Sequence, residues 1–262
     1  MPEVAEVELI RRELQAPLKG SEIISSAPDL LYSPVGDELI GLTVTQVKRR
    51  GKFLLVELSN HRELIVHLGM TGSVLVHQKI AQKHTHLHLV LKRLDCLFDF
   101  QFVDPRKFGK ISLVNPGEYV GLLSKLGPEF FEENHPVHKL QKSHKSIKAL
   151  LLDQQFMAGL GNYLCDEILF DAGIDPRRSG SSLRLSEVDS IVTSARKIVS
   201  ASLNAGGLSF SDYKHTDGSS GRFADHLKVY GRHGQVCKIC EHPLSTMNVA
   251  GRTTVFCMEC QK

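Results

Sequence analysis

The chain has 262 residues, of which 42% are hydrophobic, with a formal net charge of +3 and an isoelectric point near 8.5. That length and apolar content build one large globular domain or two ordinary ones, and the mild basicity permits a polyanionic partner without requiring one. No apolar run approaches the roughly 20 residues that cross a bilayer, and the opening MPEVAEVELIRREL alternates carboxylates with apolar side chains instead of forming a signal peptide, so a cytoplasmic chain is expected.

In chain order, Val7, Ile10, Leu14 and Leu18 repeat at helical spacing. Glu3 and Glu6 lie at the positive end of the helix dipole and Gly20 is a stop, which predicts a helix near 3–18. Short alternating runs then predict strands at 42–49, 53–58, 64–68, 74–77, 86–91, 97–103 and 110–114, separated by Gly, Asn, Asp and Arg/Lys turns, as in a sandwich or barrel. His84, His86 and His88 share one strand face by their period of two. No carboxylate or cysteine pattern completes a metal site there, and a polar strand face accounts for them.

From Pro116 the pattern turns helical, after which a Pro/Glu/His-rich stretch at 128–138 reads as a linker. The clearest helix is 186–204, with a capping-box-like start at Ser186 and Asp189, one apolar face and a stop at Gly206-Gly207. Residues 206–223, rich in Gly and Ser and without periodicity, read as a lid or ligand loop.

Six cysteines in such a chain argue against a disulfide scaffold, and four of them crowd into the last 26 residues. Cys96 and Cys165 stand apart and read as small core residues. The pairs Cys237-x2-Cys240 and Cys257-x2-Cys260 complete a closed tetrahedral site for one structural Zn²⁺, which leaves no coordination position for a substrate. Arg252 lies in the intervening hairpin, where its guanidinium is either a phosphate contact or a solvated charge. From Lys228 onward five Lys or Arg face two carboxylates, so this segment is more basic than the whole. The turn Met157 to Tyr163 sets two glycines before a helical run over 164–170, where free amides can approach phosphate and Asn162 can cap the helix; tight helix packing is the alternative reading.

Met1-Pro2-Glu3 with Glu6-Val7-Glu8, Gly51-Lys52-Phe53-Leu54, His67-Leu68-Gly69-Met70-Thr71-Gly72, Asp104-Pro105-Arg106-Lys107-Phe108-Gly109, the Gly159–Asn162 turn and the four-cysteine module stand together in one chain. In order and spacing they resemble the formamidopyrimidine-DNA glycosylase (8-oxoguanine DNA glycosylase) family over essentially the whole chain. The family generally opens Pro-Glu-Leu-Pro-Glu-Val, and here Val4 and Ala5 replace the Leu and second Pro.

The resemblance implies an α+β chain: an N-terminal helix with a β-sandwich as catalytic domain (1–127), a linker (128–138), a helix-two-turns-helix DNA-binding domain (139–227) whose loop 206–223 caps the lesion, and a zinc finger (228–262). It implies a monomeric, bacterial-type enzyme of base excision repair, acting on damaged double-stranded DNA at the nucleoid and having no membrane partner. Oxidised purines would be excised and the strand cut by β,δ-elimination. Pro2, freed by removal of Met1, would attack C1′. An α-amino group titrates near pH ~8, so part of it is unprotonated at neutrality. Glu3 would be acid and base with Glu6 in support, and Lys52 would assist proton transfer during elimination. Met70, Arg106 and Phe108 would fill the space left by the everted nucleotide. Lys52, His67, Asn162, Tyr230 and Arg252, with Lys148 as a further candidate, would lie at or near phosphates. Two rival readings are an endonuclease VIII-like glycosylase for oxidised pyrimidines and a non-catalytic, zinc-dependent lesion-binding protein. The 206–223 loop and the Met70/Arg106/Phe108 set argue against the first, and a free Pro2 amine would argue against the second.

Overall fold

The computed structural model describes residues 2–29, 35–77, 82–119, 121, 123–129, 137–209 and 213–262. The chain divides into two compact units, Met1–Ser124 with Ala205–Ala224, and Lys125–Asn204 with Asp225–Lys262.

The first unit opens with helix α1 (Val4–Leu18), begun by a reciprocal capping box between Glu3 and Glu6. Among the described residues eight strands follow: β1 (Glu22–Pro28), β2 (Val44–Arg50), β3 (Phe53–Leu58), β4 (Glu63–His67), β5 (Ser73–Val76), β6 (Thr85–Arg93), β7 (Cys96–Val103) and β8 (Lys110–Val114). They form two antiparallel sheets, ordered β1-β6-β7-β5 and β2-β3-β4-β8. Alternate residues turn inward, with Leu54, Val56, Leu64, Val66 and Ile111 from one sheet and Leu87, Leu89, Leu91, Phe100 and Phe102 from the other. These share one core with Val7, Ile10, Leu14 and Leu18 of α1.

Strand β1 is absent from the sequence-based expectation. Among its seven residues only Ile23 is buried, so it carries no alternating signal, and its place comes from pairing with β6 at the sheet edge. Cys96 is exposed rather than core, because it opens β7 straight after the turn at Leu94-Asp95, whereas Cys165 is buried in α3.

In the second unit, helices α2 (Ile147–Leu152), α3 (Asn162–Asp171) and α4 (Leu185–Asn204) precede a hairpin of β9 (Ser245–Val249) and β10 (Arg252–Phe256). The expected helical pattern from Pro116 holds only short 3-10 turns before α2 among the described residues. Helix α4 starts through Glu187, whose carboxylate accepts the Arg184 N–H at 2.7 Å, and not through Ser186 and Asp189, whose carbonyls accept the Ser190 and Thr193 hydroxyls inside the helix. Most of the expected linker, residues 130–136, lies outside the described residues. Residues 205–224, expected with the helical domain, belong to the first unit. Their two ends are laced together by Arg222 N–H to Ala205 O and Phe223 N–H to Gly207 O. Among the described residues no helix is long and apolar enough to cross a membrane.

Candidate active site and nucleic-acid interface

In the first unit, the residues expected to carry chemistry sit at the start of α1 and in three turns of the sandwich. Pro2 and Glu3 are both buried. The Glu3 N–H donates to Glu6 Oε2 at 2.8 Å, while Glu6 Oε1 accepts the Leu208 N–H at 2.9 Å. Two turns further along α1, Glu13 Oε2 accepts both the N–H and the hydroxyl of Thr216 at 2.9 Å, and Oε1 pairs with His215 Nδ1. Two carboxylates seven residues apart on one helix face therefore hold the 205–224 segment. Gly207 is required there: its φ is +81°, and an added Cβ would stand 3.1 Å from the Glu6 carboxylate and 3.0 Å from the Tyr213 ring. Burial, then the nearby Glu6, Glu13 and Asp217, push the Tyr213 phenol far above its ordinary range, so it stays neutral.

Lys52 lies in the β2–β3 turn and is 8% exposed. Arg49 ties this turn to α1: its Nε lies 3.2 Å from Glu8 Oε2 and its Nη1 donates to Gly51 O at 2.9 Å. Burial raises the Glu8 carboxyl, but Arg11, Arg12 and Arg49 outweigh it and hold the group at about 2, so it is ionised throughout the working range. Next to Lys52, the Phe53 ring packs against His67 with centroids 4.5 Å apart and the planes tilted by 40°. Burial, then Lys52 and Lys110, lower the His67 imidazole to about 4. The Gly69 N–H donates to His67 Nδ1 at 3.3 Å, so the neutral ring carries its proton on Nε2.

Met70, Arg106 and Phe108 sit in the 68–72 and 104–109 turns. Met70 is 39% and Phe108 56% exposed, where large apolar side chains are more often buried. The three histidines diverge: His86 pairs with Asp29 and the Asp104 carbonyl, His88 with Asp99, and His84 precedes β6 with a φ of +67°.

In the second unit, Gly161 is the N-cap of α3 and Asn162 its first residue, so Asn162 does not itself cap the helix. Asn162 Nδ2 donates to Thr253 O at 3.0 Å, next to the exposed Arg252 that opens β10. Tyr230 packs edge-on against Tyr163 at 6.0 Å, and Glu167 accepts the backbone N–H groups of Lys228, Val229 and Tyr230.

Lys148 is a correction. It is 0% exposed; its ammonium lies 2.6 Å from Asp166 Oδ1, itself buried, and donates to Thr254 Oγ1 at 2.7 Å. A cation sealed in this way has no donor left to show to a phosphate. Its work is internal: Asn162, Lys148 and Asp166 grip Thr253, Thr254 and Val255 in succession, fixing the strand that bears Arg252.

The four thiol sulfurs of Cys237, Cys240, Cys257 and Cys260 lie within 4.8 Å of one another. Separations of 3.8 Å (Cys237–Cys260) and 3.4 Å (Cys240–Cys257) suit a tetrahedron of ~2.3 Å Zn–S bonds. The Ile239 N–H points at Cys237 Sγ from 3.4 Å, which supports a thiolate. A small core of Phe170, Val229, Leu244 and Val255 surrounds the buried pair, too little to hold the hairpin alone. The donor set fits one structural zinc.

One unit is a helix with a β-sandwich that displays Met70 and Phe108, and the other is helical and ends in a four-thiolate ribbon suited to zinc. The comparisons with known proteins give the family. Residues 1–111 match the formamidopyrimidine-DNA glycosylase N-terminal domain, 126–214 its H2TH domain, and 234–262 the zinc finger found in FPG and IleRS. The formamidopyrimidine-DNA glycosylase of Desulfitobacterium hafniense (strain DSM 10664 / DCB-2) is 38% identical over 274 residues, covering 100% of both chains. The crystal structure of the MutM (Fpg) protein from Thermus thermophilus superimposes with a TM-score of 0.89 at 37% identity, covering 99% of this chain and 98% of that one. The Lactococcus lactis Fpg in complex with an abasic site containing DNA gives 0.87 at 34% identity over 99% of both chains. The chain belongs to the formamidopyrimidine-DNA glycosylase family.

Proposed function

We propose that the chain is a monomeric, bifunctional DNA glycosylase and AP lyase of base excision repair, which removes oxidised purines such as 8-oxoguanine and formamidopyrimidines from duplex DNA. The observation that carries the reading is the Glu6 carboxylate, which accepts N–H groups from both Glu3 and Leu208. It fastens the segment proposed to cover an everted purine to the helix that begins at Pro2 and Glu3.

With Met1 removed, the Pro2 nitrogen is a free secondary amine whose lone pair attacks C1′ as the damaged base departs with a proton. Glu3 relays protons as the sugar ring opens, which leaves an iminium between Pro2 and C1′. That cation accepts the electrons released when a C2′ proton is lost and the 3′ phosphate is expelled, and, through the conjugated system so formed, those released when a C4′ proton is lost and the 5′ phosphate is expelled. Lys52, in a turn braced by Arg49, assists these proton transfers. Met70, Arg106 and Phe108 occupy the vacated stack. His67, Asn162, Tyr230 and Arg252 hold phosphates, His67 by a neutral Nε2–H and Arg252 by charge. The zinc holds the hairpin in shape and supplies no chemistry to the bond being broken. The cytoplasm, at the nucleoid during repair, is the proposed place of action.

Borohydride trapping on duplex DNA containing 8-oxoguanine tests the reading. A covalent protein–DNA band on the lesion duplex, absent from undamaged duplex, is expected; its absence at binding concentrations overturns the enzymatic reading in favour of a lesion-binding protein.

A further inference from the structure

We infer that Asp104 is a positioning residue which, through Thr71, locks Met70, Arg106 and Phe108 into one rigid insertion element; this rests on the glycosylase reading above. Asp104 is 0% exposed. Its Oδ1 accepts the Thr71 hydroxyl and, at 3.3 Å, the Arg106 N–H, while Oδ2 accepts the Gly109 N–H at 2.7 Å. Thr71 directly follows Met70, and Arg106 and Gly109 bracket Lys107 and Phe108. One buried carboxylate thus spans two turns that lie more than thirty residues apart in the chain, and its desolvation is offset by these bonds.

Lys107, between the two clamped amides, has a φ of +57°, an unfavourable conformation for a side chain with a Cβ. Such a residue persists only where its surroundings over-determine it. The two turns also touch: a Cβ on Gly69 would lie 2.5 Å from Gly109 N and from Phe108 C. From behind, His86 Nε2 donates to Asp104 O at 2.9 Å and the Asp104 N–H donates to His84 O at 3.0 Å. Every polar atom of Asp104 is therefore spent on holding these turns, while the apolar side chains of Met70 and Phe108 are displayed to solvent.

The test compares single-turnover excision of 8-oxoguanine opposite cytosine with excision opposite a tetrahydrofuran abasic analogue, where no partner base has to be held off. Thr71→Val removes the hydroxyl at constant volume and should slow excision about tenfold opposite cytosine, with no change opposite the analogue. Thr71→Ser, which keeps the hydroxyl, should match the parent on both duplexes. Asp104→Asn, which turns an acceptor into a donor facing the Gly109 N–H, should lose more than Thr71→Val opposite cytosine; if it fails to fold, the Thr71 pair decides alone. Equal losses with Thr71→Val on both duplexes, or none on either, overturn the positioning role. A parent protein that excises nothing overturns the functional reading and this role with it, and is told apart because it precedes any substitution.

Discussion

Glu6 and Leu208, 202 residues apart in the chain, share a hydrogen bond of 2.9 Å in which the Leu208 N–H donates to Glu6 Oε1. The other oxygen, Oε2, accepts the Glu3 N–H at 2.8 Å, and the whole side chain is 1% exposed. Both lone-pair faces of one carboxylate are in use, one on the start of the helix and one on the segment proposed to cover the lesion.

Glu6→Gln replaces one of these acceptors by a donor and leaves a buried N–H without a partner, at a cost of about 1–3 kcal/mol. Excision should fall, and limited proteolysis within 205–224 should speed up, because the segment loses an anchor at its base. An unchanged cleavage pattern beside lost activity would assign Glu6 to the chemistry and not to the segment.

What could be read from the chain in advance follows from the range of each interaction. The cysteine pairs, the alternating strands and the stripe of α1 are local patterns that burial enforces residue by residue, so each was legible. The links made by Glu6 to Leu208, by Asp104 to Thr71 and by Lys148 to Asp166 join positions that no periodicity relates. Lys148 shows the consequence: the resemblance offered it a phosphate role, and only its partner Asp166 in the next helix shows the charge to be already spent. Edge strand β1, carrying Ser25 and Ser26 and ending at Pro28, left no apolar alternation to find.

For Lys148, Lys148→Met strands the Asp166 carboxylate in a site where burial already raises its pKa, and should destabilise the protein by about 3–5 kcal/mol. Lys148→Met with Asp166→Leu should recover much of that loss. The recovered double variant should keep the parent's slope of log Kd against log salt. A slope lower by about one contact's worth, roughly 0.9 on B-DNA, would return Lys148 to the phosphates.

His67 makes a pH-dependent contribution whose sign follows from its burial. Its imidazole takes a proton only near 4 in the folded protein, against 6.5 when unperturbed. Between those values the unfolded chain binds more protons, so acid favours unfolding; below about 4 both states are protonated and the effect ends. Stability should therefore fall by about 2 kcal/mol as pH drops from 7 to 4 on account of this group, after discounting for its partial exposure. Denaturant titrations of the parent and His67→Ala across that window measure it, with a shallower acid slope expected in the variant.

Arg252 and the zinc ligands should separate charge from scaffold. Arg252→Ala should weaken binding to lesion and undamaged duplex alike and lower the salt slope by roughly 0.9, leaving zinc content at one per chain. Cys237→Ala should lose the metal and, with it, the fixed position of the whole hairpin, so binding falls further than for Arg252→Ala. A zinc-free protein that binds duplex normally would contradict the scaffold role.

The sharpest division concerns Pro2 and Glu3, adjacent residues with separate proposed tasks. Pro2→Gly keeps an amine but makes it primary and conformationally loose, so strand cleavage should drop strongly while lesion binding survives. Glu3→Gln should retain binding and some borohydride trapping at abasic sites, because attack on an already opened sugar needs less proton transfer than expulsion of a base. Base excision should be lost in that variant. Since Glu3 also begins α1, thermal melting of Glu3→Gln must stay near the parent's for this result to bear on chemistry: the Glu3 backbone N–H still donates to Glu6, and the Gln amide oxygen must take over the acceptance of the Glu6 backbone N–H from the Glu3 carboxylate. Mass spectrometry of the reduced complex then locates the bond. An adduct on the peptide beginning at Pro2 supports the assignment, whereas an adduct on Lys52, with the Pro2 nitrogen unmodified, would transfer the nucleophile to the β2–β3 turn.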